Sequence, residues 1–182
     1  MACNRHFPDQ ARRSTVSPQR KLKPSRPAGQ PATSDAGLAR AHQVVLLGLA
    51  SAAALIGLWA QLAPLSFHAD FPGLRQFWIS LDGPFNEHLI RDVGGLNLVL
   101  AVLTASAAIG GRTGPARLAC VCWLIYGVPH FAYHGTHLGP FEAIDAIAQV
   151  VSLALQVAAP LWILFTTSVR LHGIWSHGAR GM

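Results

Sequence analysis

Charge is what this chain has least of. Only 12% of its residues are Asp, Glu, Lys or Arg, about half the share usual in a soluble globular domain. The few charges are unevenly placed. Residues 1–40 hold eight basic residues (Arg5, Arg12, Arg13, Arg20, Lys21, Lys23, Arg26 and Arg40) against Asp9 and Asp35, which accounts for the whole net charge of +6. From residue 41 onward six Arg meet six acids. The basic character belongs to a tail and not to a folded face, which argues against a nucleic-acid partner. Cysteine is scarce too. Three Cys make no disulfide framework, and Cys120 and Cys122, two apart, point to different faces of a helix, as small packing residues do. No HExxH, Gly-x-Ser-x-Gly, Cys/His nucleophile pair or kinase signature is present. "DVGGLNL" follows no strand, so it is not a nucleotide-binding glycine loop. Nothing here points to catalysis. Nor is there an internal repeat of the kind that builds secondary transporters.

What the chain has instead is apolar runs, in a sequence that is 51% hydrophobic. Four segments, at about 44–63, 89–109, 118–134 and 143–167, approach the ~20 residues a helix needs to cross a bilayer. Backbone polar groups in lipid must pair internally, so each segment is predicted to be a helix. The predicted fold class is all-α: a four-helix transmembrane bundle over residues 41–170, with a short tail at 171–182. Residues 1–40, rich in Pro, Ser, Gln and Arg, cannot bury enough surface to offset chain entropy and read as a disordered tail. Its charges would set orientation, or attract anionic lipid head groups.

Orientation follows from Lys and Arg in the connections. The N-terminal tail, the 110–117 connection (Arg112, Arg117) and the C-terminal tail (Arg170, Arg180) are basic; the 64–92 and 135–145 connections are acidic on balance. Every connection agrees on a multi-pass protein of a bacterial-type plasma membrane with both termini cytoplasmic. The first apolar stretch is too long, and its basic lead too extended, for a cleaved signal peptide.

Within that topology the ionisable residues sort to the outer side. Six of the eight acids lie there (Asp70, Asp82, Glu87, Asp92, Glu142, Asp145), as do His68, His88, His130, His134 and His137. Helical spacing groups them. Glu87 stands four before Arg91 and His88 four before Asp92, with Asn86 as a predicted cap. Trp123, Tyr126, His130, His134 and His137 recur at 3, 4, 4 and 3, and Asp145, Gln149, Ser152 and Gln156 at 4, 3 and 4; each set lines one helix face. Gly135 is expected to end the third helix ahead of His137. Polar side chains are costly in lipid, so the two stripes are expected to face each other across an outward-opening pocket. Small residues of the second span (Gly94, Gly95, Ala105, Ser106, Ala107, Ala108, Gly110) suit close helix approach.

The stretches "FPGLRQFWISLDGPFNEHLIRDVGGLNLVLAV", "VPHFAYHGTHL" and "DAIAQVVSLALQV" resemble a group of small four-helix bacterial integral membrane proteins, over roughly residues 65–160. The layout also resembles that of the DoxX-like proteins, in helix count alone. The resemblance implies the architecture and supplies no reaction, substrate or catalytic residue.

The candidate polar site comprises His88, Arg91, Asp92, Tyr126, His130, His134, Asp145 and Gln149. Its first reading is structural: a satisfied network that docks three helices, in an accessory subunit of a membrane complex or a homo-oligomer. Phe67, Phe71, Phe77, Trp78 and Phe85 would then form an aromatic belt at the lipid–water boundary, and Trp59, Trp123 and Trp162 would anchor the spans. The alternative is an outward-facing site for a small ligand, a proton or a divalent transition metal. His130 and His134, at i and i+4, would hold such a metal with His88 or a carboxylate. Two axial histidines holding a haem is the weakest variant.

Overall fold

A computed structural model describes residues 37–73 and 77–178. The tail expected to be disordered falls, up to residue 36, outside the described residues. Among the described residues every element is helical: α1 (Arg40–Leu62), α2 (Pro64–Asp70), α3 (Trp78–Asp82), α4 (Glu87–Gly110), α5 (Thr113–Thr136) and α6 (Ala143–Gly178). An isolated bridge joins Gly37 to Arg112.

Three helices are long and apolar enough to cross a membrane: α1, α4 and the Ala143–Ser168 part of α6. The expected third span, α5, has the length but not the hydropathy. Arg117 stands near one end, and His130 and His134 near the other. The predicted boundaries also shift. α5 starts five residues before the expected 118 and continues past Gly135 to Thr136, and α6 runs through Gly178, well into the expected C-terminal tail. The 64–92 connection holds two short helices. Pro64 starts α2, where its missing N–H would be unpaired anyway. The cap on α4 is the expected Asn86, whose Oδ1 accepts from Leu89 N at 3.1 Å.

The long helices associate as two close pairs, α1 with α4 and α5 with α6. Glycine sets the first pair. A Cβ on Gly57 would lie 2.8 Å from Leu98 Cγ and 2.9 Å from the Gly94 carbonyl oxygen, and one on Gly94 would lie 3.0 Å from Ala60 Cβ. Small residues thus let the backbones approach, as expected of Gly94. Polar contacts fasten both ends. The Gln61 side chain donates to the Arg91 carbonyl (2.6 Å) while the Arg91 guanidinium donates to the Gln61 carbonyl. That carbonyl is in the last turn of α1, where no intrahelical donor remains, so the cation caps the helix. At the far end Gln43 Nε2 donates to Ala108 O (3.1 Å).

The expected aromatic belt is only partly on the surface. Phe77 and Phe85 are exposed. Phe67 and Phe71 instead turn inward and form a cluster of edge-on and tilted rings with Trp59, which Trp78 joins through Phe71, since burying large rings under a connection contributes more than leaving them at its rim. Trp123, expected as an interfacial anchor, is fully buried and donates to Thr104 Oγ1 at 2.8 Å, tying α5 to α4.

The crossing gives a direct test. Gly57→Ala is expected to lower stability in detergent by about 1–3 kcal/mol, the usual cost of overpacking. Gly48→Ala, where an added Cβ meets nothing within 4 Å, is expected to be neutral or stabilising by up to ~1 kcal/mol. Thermal unfolding of both variants checks the contrast; equal effects would show that the α1–α4 crossing is not tight.

Candidate functional site

Between the two helix pairs lies a cavity of about 960 Å³, at the upper end of the range for small-molecule sites. Its walls come from all four long helices and one end from α2 and α3. Most of the lining is apolar, with Leu49 and Ile56 from α1, Val93 from α4 and Leu153 from α6. Polar groups gather mainly on α5 and α6.

On α5, Tyr126, His130 and His134 follow one face at a spacing of four, so their rings stack in sequence. Tyr126 and His130 lie parallel at 5.2 Å, and His130 and His134 meet edge-on at 4.6 Å. Tyr126 shares a hydrogen bond with Asn97 of α4. His134 Nδ1 lies 3.5 Å from Asp82 Oδ2, which pins the end of α3 to α5. On α6, Gln149, Ser152 and Gln156 line the opposite wall. The two expected stripes therefore border one cavity.

Four buried polar atoms of residues lining the cavity have no hydrogen-bond partner: Gln149 Oε1, Gln156 Oε1, Trp78 Nε1 and His134 Nδ1, the last having only the Asp82 carboxylate 3.5 Å away. Gln149 is only 4% exposed. A buried amide left unpaired costs roughly 1–3 kcal/mol, so these groups are not part of a satisfied network.

Four residues of the expected site lie elsewhere. His88 and Asp92 pair at 3.4 Å on the surface, with side chains 87% and 62% exposed. His88 lies on the exposed side of the first turn of α4, whose Ile90 packs inward, so the expected joining of His88 to His130 and His134 in a metal site does not occur. Arg91 is drawn to Glu87 (2.8 Å) and to the end of α1. Asp145 stands in the first turn of α6, where a carboxylate suits the helix dipole, and does not line the cavity. His137 is the C-cap of α5 and stacks on Tyr133 at 4.1 Å. Among the described residues no group of three or more His, Cys, Asp or Glu side chains is placed to hold a metal ion. His130 and His134 alone fall short of the three or four protein ligands such sites use.

Spacing alone missed Asp82, Asn97, Trp78 and the α1 wall. Asp82 was legible only as part of a turn, "DGP", and Asn97 as one polar residue in an apolar span. A lone Asn inside a span is itself a signal, because an amide in lipid needs a partner.

Comparison of the chain with protein-family models, with curated proteins and with solved structures returns no match.

The unpaired amide separates a ligand site from a structural network. Gln149→Leu is expected to raise the stability of ligand-free protein by about 1–3 kcal/mol, since an apolar isostere removes an unmet acceptor. A thermal unfolding temperature that falls would place Gln149 in a satisfied docking network instead.

Proposed function

We propose that this is a four-span integral membrane protein that binds a small ligand in the cavity between its helix pairs, and that it is not an enzyme. The observation that carries the reading is the Gln149 amide, 4% exposed, with Oε1 unpaired at the cavity wall. A folded chain retains an unmet polar group mainly where something else meets it. His130, Tyr126 and Gln156 add further donors and acceptors on the same wall. Binding, not chemistry, fits this set: the lining offers hydrogen bonds, and it lacks both a nucleophile paired with a base and a metal ligand set.

A structural or accessory role is the second reading. It is favoured by the bonds that lace helices together, such as Trp123 to Thr104 and Arg117 to Thr167 Oγ1 (3.0 Å). Under that reading the cavity would be closed by another subunit or a second copy of the chain.

α5 serves as the fourth span. It pairs with α6 along its length, so its histidines and Arg117 turn into the bundle or toward its ends. Both termini and the Arg112–Arg117 turn face the cytoplasm of a bacterial-type plasma membrane, with the α2–α3 connection outside. The basic N-terminal tail then lies beside the anionic cytoplasmic leaflet.

Topology is tested in a background with the native cysteines replaced by Ala. Ser80→Cys is expected to react with a membrane-impermeant maleimide on intact cells, and Gly110→Cys only after permeabilisation. The reverse pattern would invert the protein.

Native mass spectrometry of protein released from a mild detergent tests binding itself. About one small molecule per chain is expected to be retained by the wild type, and several-fold less by His130→Leu. A wild type that carries nothing, with Gln149→Leu less stable, would leave the structural reading standing alone.

A further inference from the structure

Lining residues occur on α6 from Gln149 to Trp162. At 1.5 Å per residue that is roughly 20 Å, about two-thirds of a ~30 Å hydrocarbon core. The cavity is therefore elongated along the helices. Its inner end is bounded by Trp162, which packs edge-on against His42 of α1 at 4.7 Å. Its outer end holds Trp78, Asp82 and His134.

The cavity also has a side opening. Contact between α1 and α6 is the sparsest of those between neighbouring long helices. Gly48 and Ala52 on α1, and Leu155 and Ala158 on α6, both line the cavity and are exposed. In a membrane-spanning bundle that seam meets acyl chains, not water.

The polar lining sets the head group. Among the described residues that line the cavity there is no Lys or Arg, and the one carboxylate is Asp82. The nearest guanidinium along α4, Arg91, is held by Glu87 and the Gln61 carbonyl. Among the described lining residues a phosphate or carboxylate head group would find no cation to replace its hydration, and would lie beside an existing negative charge. An uncharged hydroxyl, carbonyl or amide matches what is unpaired: Gln149 Oε1 and Gln156 Oε1 as acceptors, Trp78 Nε1–H as donor.

We propose that the cavity takes a membrane-soluble amphiphile with one apolar chain and an uncharged hydrogen-bonding head group, admitted sideways from the bilayer between α1 and α6. This rests on the ligand-binding reading above and adds to it the ligand class and the route. A monoacylglycerol and an isoprenoid alcohol or quinol share this chemistry.

Trp78, Trp123 and Trp162 line the cavity, so tryptophan emission reports its occupant. Protein in lipid nanodiscs is titrated with a brominated long-chain alcohol and, separately, with the matching brominated fatty acid at a pH where the acid is ionised. Saturable quenching by the alcohol is expected, with the acid at least tenfold weaker. Equal quenching by the acid would overturn the head-group assignment, and this comparison needs no variant. The route is tested by Gly48→Phe and Ala158→Phe, one on each side of the seam. Both are expected to cut quenching by the alcohol several-fold, while Gln149→Leu weakens affinity without slowing access. Gly48 has open space around its Cβ position, so its variant is expected to keep wild-type thermal stability; should either variant unfold, the other decides. Wild-type quenching in both would overturn lateral entry. A co-purifying water-soluble or charged molecule would overturn this inference and leave the binding reading intact. Absence of both a retained molecule and saturable quenching would remove the two together. Mass spectrometry of neutral-lipid-spiked and prenol-spiked nanodiscs then distinguishes the two ligand sources.

Discussion

The close crossing of α1 and α4 is the constraint on which the rest of this bundle depends. At Gly57 the backbone of one helix lies against the Gly94 carbonyl of the other, with no room for a methyl group between them. Helices in lipid are not pressed together by a hydrophobic drive, so contact of this kind, with interhelical hydrogen bonds, must supply the association. The Arg91–Gln61 exchange adds a second fastening and fixes the register of the pair. With α1 committed to α4, and α6 to α5, little contact remains for α1 with α6. The cavity is the space left between two pairs that each satisfy themselves.

The two ends of that space differ. At the 111–117 end several chain segments are laced together. Leu38 N donates to Gly111 O (2.7 Å), Gln43 reaches Ala108 O, and Arg117 Nη1 donates to Leu164 O (3.1 Å) and to the hydroxyls of Thr167 and Ser168. His42 Nε2 sits 3.0 Å from Thr166 Oγ1, joining α1 to α6 there. At the other end the closure is a connection with two short helices, held by His68 on the Gly83 carbonyl (3.0 Å) and by Asp82 beside His134. One end is a fixed floor built from long helices. The other is a cover that, among the described residues, meets α5 where the Asp82 carboxylate lies beside the His134 imidazole.

Periodicity carried the helices and the inward faces of α5 and α6, because a spacing of three and four is a property of each helix alone. Tyr126, His130, His134, Gln149, Ser152 and Gln156 were legible for that reason. The same rule overreached at α4. His88, Arg91 and Asp92 satisfy helical pairing with Glu87, but pairing says nothing about which way the face turns, and these side chains lie on the surface or at the α1 terminus. The α1 wall was invisible for a different reason. Gly48, Ala52 and Leu49 look like any apolar span until a neighbour fails to cover them. Asp82 belongs to a third kind: its role depends on a loop folding back over the bundle, which no local spacing encodes. α5 is the least apolar of the four long helices partly for the same reason, since His130 and His134 line the cavity, with Arg117 near the other end adding to it.

The two helix pairs also divide the work. α1 and α4 contain no internal proline and hold the tightest backbone contact. α5 and α6 each contain one, Pro129 and Pro160. A proline inside a helix removes the donor for the carbonyl four residues earlier, which are those of Ile125 and Gln156. One interruption therefore falls immediately before His130, and the other frees the backbone of a residue whose side chain is itself unpaired at the cavity wall. The unpaired glutamines at the cavity thus sit on the half whose backbone ladder is broken, and the half that fixes the crossing is uninterrupted. In a bilayer freed carbonyls must be met from within the protein or by what it binds, and that demand falls on the α5–α6 half.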